Sequence, residues 1–417
     1  MGLGSLLKFK QAPALAKLGD VLNTSVGVRT GTLSPIAIDL GAGSLKMMQV
    51  DGAEPPTLVA AASIETPVAI VDDPKRRLDF QLEALPKLLR SAGFKGKRAV
   101  CAIPAWKTTI KHLQFPREPN LGLAVMVEAA IRQQLGADPA SLAYRFIEVN
   151  TPDKPAGRVD VILIAVTRDV VAYIMRALAG ARLEPVGIHS EFVCALHAFD
   201  HLHRREGDLQ QNTLYVDLGA TASKVCIAHG RDLVFARCIG IGGHDLDKAI
   251  SEQLALTPAD ARKRRMALDD EAGAPPEPAP APHVSTAADP EADRRLTDTP
   301  PGFGDVTVGP SVPAAPGGVD VSEPLEMLTD EIKLSLRHHA SQFPSRKIDR
   351  VVFVGGESRH RGLTQHIART LRLPAQVADP IARVARSGKE PCIGVDLKKP
   401  QPGWTVALGL CLAPTDL

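Results

Sequence analysis

One short pattern occurs twice in this chain, and it constrains the architecture more than any other feature. Ile36-Ala-Ile-Asp-Leu-Gly-Ala-Gly-Ser-Leu-Lys46 is echoed by Leu214-Tyr-Val-Asp-Leu-Gly-Ala-Thr-Ala-Ser-Lys224. In both copies an apolar run ends in Asp-Leu-Gly-Ala, and a lysine stands seven residues after the aspartate. An apolar run of this length reads as a buried strand, the glycine permits a tight turn, and the lysine opens a return strand. Each copy therefore predicts a β-hairpin with a polar tip, and the repetition predicts two related half-molecules.

Such a tip suits an anion. Backbone N–H groups of a glycine-containing turn can surround phosphate while the aspartate orders a metal-bound water. Two tips facing each other would clasp a nucleotide between the halves. A third element, Arg350-Val-Val-Phe-Val-Gly-Gly356 followed by a helical pattern over 362–371, is a strand, Gly-Gly, helix unit of the kind that contacts nucleotides.

Composition narrows the class. At 417 residues the chain exceeds one ordinary core, so two or more domains are expected. Its 49 basic and 47 acidic residues are scattered, which gives no case for nucleic acid as a partner. Cys101, Cys194, Cys226, Cys238, Cys392 and Cys411 form no Cys-x-x-Cys pair, so a reduced, cytosolic chain without cysteine-bound metal is expected. No segment approaches the ~18 consecutive apolar residues that span a bilayer, and the N-terminus lacks a signal-peptide core.

Along the chain, residues 1–34 read as a mobile tail and 35–212 as the first half. Within that half, strands over 108–115, 144–149 and 159–166 with helices over 123–135 and 170–179 form an inserted α/β unit at about 105–185. A helix over 191–202 leads to the second half, 213–412, which carries strand 232–239, a Gly240–Gly243 turn and helices over 245–256 and 258–267. Eleven prolines between Pro275 and Pro316 mark a disordered insertion at about 270–320, too poor in apolar surface to offset its ordering entropy. Residues 413–417 read as a tail. His197 and His201 lie four apart on one helix but lack a third ligand nearby, so they read as solvated histidines and not zinc ligands.

These motifs together resemble the actin-like ATPase superfamily, which includes actin, heat-shock chaperone ATPases, sugar kinases, FtsA and PilM. The inserted unit separates the branches, since FtsA and PilM have it. Ala102-Ile-Pro-Ala-Trp106, Phe115-Pro116, Val127-Glu-Ala-Ala-Ile-Arg-Gln-Gln-Leu135, Leu183-Glu-Pro-Val-Gly-Ile-His-Ser-Glu191 and Ile239-Gly-Ile-Gly-Gly243 look like the PilM family of type IV pilus assembly proteins. The resemblance covers about 35–412 outside the proline-rich stretch. It implies a duplicated actin-like fold of two RNase H-like halves with an FtsA/PilM-type inserted subdomain.

It also implies roles. Asp39, Gly41, Gly43, Ser44 and Lys46 match the first phosphate loop, and Asp217, Gly219, Thr221 and Ser223 the second. Gly242 and Gly243 match the place where the family's chain approaches the nucleotide, and Gly355, Gly356 and Ser358 match the adenosine loop. The implied cofactors are ATP and Mg, the latter held through water by Asp39 and Asp217, with Glu191 orienting the attacking water. Gly355-Gly-Glu-Ser358 and His189 depart from the family pattern, which favours binding over turnover and leaves weak or no ATPase activity as the expectation.

The implied function is a cytoplasmic adapter of a type IV pilus or type II secretion-like machine. It would dock the cytoplasmic N-terminal peptide of a PilN-like inner-membrane protein in the groove between 105–150 and 185–200, which places it peripheral to the inner membrane. The alternatives are a phosphotransferase of the sugar-kinase type, which needs a carboxylate base, and an FtsA-like membrane-associated filament former.

Overall fold

The computed structural model describes residues 33–118, 120–149, 157–203, 206–271, 302–306 and 319–413. Residues 1–32 and 414–417 of the tails expected at 1–34 and 413–417, and most of the proline-rich stretch, lie outside the described residues. The first half opens with β1 (Ile36–Leu40), β2 (Ser44–Val50), β3 (Leu58–Glu65), helix α1 (Pro74–Ser91) and β4 (Arg98–Ile103). Every residue of β1 is buried, as its unbroken apolar run requires of a central strand covered on both faces. Helix α1 starts where Asp73 accepts from the Lys75 and Arg76 amides with Pro74 behind it, and buries Leu78, Leu82 and Leu85 along one stripe.

The insertion follows: β5 (Thr109–Pro116), α2 (Leu123–Ala130), β6 (Leu142–Val149) and β7 (Arg158–Thr167). Its three strands pair antiparallel in the order β5-β7-β6, and Val127 and Ile131 pack with Leu113, Val161 and Leu163 in a core of its own. The chain returns through α3 (Arg168–Gly180), β8 (Glu184–Ser190) and α4 (Glu191–His197). Here the expected boundary of about 185 is corrected. Ile174 and Leu178, four apart on α3, pack with Leu78 and Leu85 of α1 in the first-half core, so the inserted unit ends near Thr167.

The second half contains β9 (Asn212–Leu218), β10 (Ser223–His229), β11 (Asp232–Ile239), α5 (Gly243–Leu254), α6 (Pro258–Glu271), β12 (Phe303–Asp305), α7 (Ser322–Gln342), β13 (Arg350–Val354), α8 (Arg361–Leu371) and β14 (Ala375–Ala378). The chain then closes with β15 (Cys392–Ile393) and α9 (Thr405–Leu412). The sheets run β15-β3-β2-β1-β4-β8 and β11-β10-β9-β13-β14-β12. In each, three antiparallel strands lead into two parallel ones, β3-β2-β1 then β4-β8 against β11-β10-β9 then β13-β14. The repeat in the sequence is thus a repeat of topology.

Two further departures concern the second half. The stretch expected to be disordered contains β12, which pairs antiparallel with β14, and Phe303 turns onto Phe199 with ring centroids 5.9 Å apart. One aromatic anchor and an open strand edge suffice to order those few residues. Residues expected to finish the second half instead cross back: β15 pairs with β3, and the nearly all-buried α9 packs on α4 and on the first sheet. Among the described residues no helix is long and apolar enough to cross a membrane.

Candidate functional site

The two hairpins close in identical register. Asp39 lies opposite Lys46 and Asp217 opposite Lys224, and four-residue tips, 41–44 and 219–222, join the strands. Directly opposed residues of an antiparallel pair share a face, so a spacing of seven places each lysine beside its aspartate. The tips meet: a Cβ on Gly43 would lie 3.1 Å from Ala220 Cβ. The halves therefore come together at the two repeated motifs.

Pairing differs between the hairpins. Lys46 Nζ stands 3.8 Å from Asp39 Oδ2, whereas Lys224 Nζ stands 2.7 Å from Asp217 Oδ2 and also donates to Glu191 Oε2. Glu191 is the first residue of α4, after the N-cap Ser190, and its other oxygen accepts from the Ala105 amide at 3.1 Å. Both carboxylate oxygens are engaged, which opposes the expected water-orienting role. Burial pushes the Asp39 carboxyl up to about 6, against the pull of Lys46; Glu191 and Asp217 push it further and Lys224 opposes them. For Lys224, burial pulls the ammonium down, but Asp217 and Glu191 outweigh it and hold the group well above the ordinary lysine value.

The second tip leans on the start of α5. The Gly243 amide donates to Gly219 O at 3.0 Å and the His244 amide to Ala220 O at 2.7 Å, while Ser223 Oγ donates to Ile241 O at 2.8 Å. Close approach explains the glycines: a Cβ on Gly242 would lie 2.6 Å from the Gly219 and Ala220 carbonyl oxygens. Thus donors of a helix N-terminus, which favour an anion, are occupied by the protein's own carbonyls. Ser44 and Thr221 sit half-buried on the tips.

The expected adenosine loop abuts the same place. Gly355, at φ +93°, passes so close that a Cβ would collide with Leu218 O and Asp217 Oδ1. Ser358 Oγ turns back to Gly355 O at 2.7 Å, and Gly356 packs against Gly403. Glu357 lies over Gly243 and accepts from Arg265 Nη1 at 2.8 Å, and Arg265 Nε donates to Asp247 Oδ1 at 2.7 Å. The Arg265 guanidinium is buried between these carboxylates.

A last tie spans the mouth. Asp72, in the loop before α1, meets His244 Nε2 at 3.0 Å and Lys248 Nζ at 3.1 Å. Asp247 and Asp72 raise the His244 pKa against its burial.

Sequence reasoning singled out Asp39, Lys46, Asp217, Lys224, Glu191 and the glycines, and these residues lie close together where the two hairpins meet. It missed Arg265, Asp247, Glu357, His244 and Asp72. For Arg265 a signal existed: it follows the buried Ala261 by four residues on α6, so a core-facing charge was written into the helix. His197 Nδ1 pairs with Asp200 Oδ2 at 3.0 Å, and among the described residues no three His, Cys, Asp or Glu side chains could hold a metal ion. The carboxylates expected to order magnesium water are instead tied to ammonium groups. The residues present do not fit a divalent metal.

A sequence model of the family described as type IV pilus assembly protein PilM matches residues 37–272 and 318–414. Among solved structures, the chain is similar to a PilM-PilN type IV pilus biogenesis complex, with TM-score 0.65 and 21% identity over 92% of this chain and 98% of that one. It also aligns with the ethanolamine utilization protein EutJ from Carboxydothermus hydrogenoformans, at TM-score 0.46 and 14% identity over 93% and 91% of the two chains. MreB5 of Spiroplasma citri bound to ADP aligns at TM-score 0.43 and 11% identity over 90% and 94%. The first of these likenesses shows the fold, the expected actin-like ATPase architecture.

Proposed function

The chain belongs to the PilM family of type IV pilus assembly proteins, and from that premise we propose that it is a cytoplasmic adapter that docks the N-terminal segment of a PilN-like inner-membrane protein. It reaches the membrane through that partner and scaffolds the assembly machine without depending on turnover. The observation that carries the reading is the family match, which covers 37–272, through the first hairpin, the inserted β5-β7-β6 unit and the second hairpin, and resumes over 318–414. The solved complex named above supports the choice of partner, since in it a PilM is assembled with a PilN.

ATP is the nucleotide that the family resemblance implies for the two-hairpin site, with phosphates over Gly41–Ser44 and Gly219–Ser223 and the nucleoside near Gly355, Gly356 and Ser358. To enter, it must part Arg265 from Glu357 and Lys224 from its two carboxylates. A nucleotide acting here sets the angle between the halves. A phosphotransferase of the sugar-kinase type is disfavoured, because it needs an unengaged carboxylate base and Asp39, Asp217 and Glu191 each face a lysine.

The test is a titration of the full chain with a fluorescent peptide from the cytoplasmic N-terminus of the PilN-like protein. Saturable one-to-one binding, measurable without nucleotide, is expected. No binding with ATP present or absent would overturn the adapter reading.

A further inference from the structure

We propose that Lys224 is a built-in cation: its ammonium group occupies the point on which Asp217 and Glu191 converge, so this chain closes its cleft with no divalent metal. The inference goes beyond the adapter reading and does not depend on the partner. It starts from an electrostatic requirement. Asp217 is the penultimate residue of β9 and Glu191 begins α4, so two separate elements bring two buried carboxylates to one nitrogen. Held that close in a water-poor site, two carboxylates need a positive charge between them or a proton on one of them. Hairpin register supplies the charge, because a lysine seven residues after Asp217 must emerge on the aspartate's face.

The ordinary reading of a cross-strand Asp–Lys pair is a surface ion pair of little consequence. Two facts set this one apart. The Lys224 side chain is 15% exposed and its second partner, Glu191, comes from the other half of the molecule. The first hairpin is the internal control, for there Lys46 has one carboxylate partner, at 3.8 Å. The rest of the cleft is closed by similar means, with Arg265 between Asp247 and Glu357 and with Asp72 tied to His244 and Lys248. Each is a fixed protein cation answering a fixed protein anion.

The consequence is independence from magnesium. A tethered ammonium group is present at high effective concentration and is not removed by chelation. A metal would have to displace it before reaching either carboxylate.

The experiment counts bound Mn2+, a spectroscopic substitute for Mg2+, by electron paramagnetic resonance on the full chain, and compares melting temperatures in EDTA and in excess Mg2+. Wild type should bind no Mn2+ at millimolar concentration and melt within about 1 °C in both buffers. Lys224→Ala should melt lower in EDTA, recover part of the loss with Mg2+, and bind Mn2+ at least tenfold more tightly than wild type. Lys224→Arg, which keeps the charge, should behave as wild type. Should Lys224→Ala fail to fold, the wild-type count still decides: free Mn2+ supports the proposal and stoichiometric binding overturns it. A folded Lys224→Ala that ignores Mg2+ overturns it as well.

Discussion

The two hairpins share a sequence pattern, a register and a tip length, yet they have settled into different electrostatic states. In the first, Lys46 stands back from Asp39; in the second, Lys224 is locked between Asp217 and Glu191. Three carboxylates therefore face two ammonium groups, and burial, with a smaller push from Glu191 and Asp217, raises the Asp39 carboxyl to about 6. The backbone of a duplicated motif follows its own local sequence. Its electrostatics follow what the rest of the molecule brings to it: α4 delivers Glu191 to the second hairpin and offers the first no counterpart.

Removing the two lysines is the harshest way to break this comparison. Lys224→Met leaves two converging carboxylates buried without a counter-ion and should cost about 3–5 kcal/mol of stability. Lys46→Met should cost about 1–2 kcal/mol, because Asp39, already raised by burial, can take up a proton. Urea unfolding at pH 7 measures both. Equal losses would mean that the hairpins carry equivalent pairs and that Glu191 adds nothing.

What could be read in advance divides along the same line. The hairpins were legible because Asp39 and Lys46, or Asp217 and Lys224, lie within one turn of chain, and their register follows from local rules of strand and turn. The inserted unit was legible for the same reason. Contacts far apart in sequence were not. Nothing local says that Ile174 and Leu178 join the first-half core, or that Cys392 and Ile393 return to β3, since an apolar residue declares burial without naming its core. Phe303 shows the limit of composition: proline density argued for disorder across 270–320, and one ring tilted against Phe199 together with the pairing to β14 holds a strand inside it. Arg265 stands between these cases, its burial readable from Ala261 and its partners Asp247 and Glu357 not.

A pH titration sharpens the comparison with a smaller effect. Asp39 holds its proton more tightly folded, at about 6, than unfolded, at 3.8. The folded state thus binds more protons between those values, so this group's contribution is present at low pH and is lost as pH rises through about 6. The size is up to about 3 kcal/mol. His339, lowered by burial to about 4, acts with the opposite sign in an overlapping window: its contribution is present above 6.5 and lost as pH falls through about 4. The diagnostic is therefore the difference between wild type and Asp39→Asn, whose stability should lack the decline from pH 4 to 6. Lys46→Met should extend that decline to higher pH, since Lys46 opposes the rise of the Asp39 pKa. Parallel curves for wild type and Asp39→Asn would mean that the Asp39 carboxyl is not raised in the folded state.

The smallest effect concerns the tips themselves. A Cβ on Gly219 would lie 2.6 Å from the backbone oxygen of Ala222, whereas one on Gly41 would lie 3.3 Å from Ser44 O. The first contact cannot form without moving backbone whose carbonyls, at Gly219 and Ala220, also receive the amides that start α5. The second needs a shift of a few tenths of an ångström. Gly219→Ala should therefore lose about 1–3 kcal/mol, the usual range for overpacking, and Gly41→Ala less than about 1 kcal/mol. Thermal unfolding of the two variants side by side measures the gap. A larger loss at Gly41 would mean that the first tip carries the closure of the halves and that the hairpin bonded to α5 is the more adaptable one.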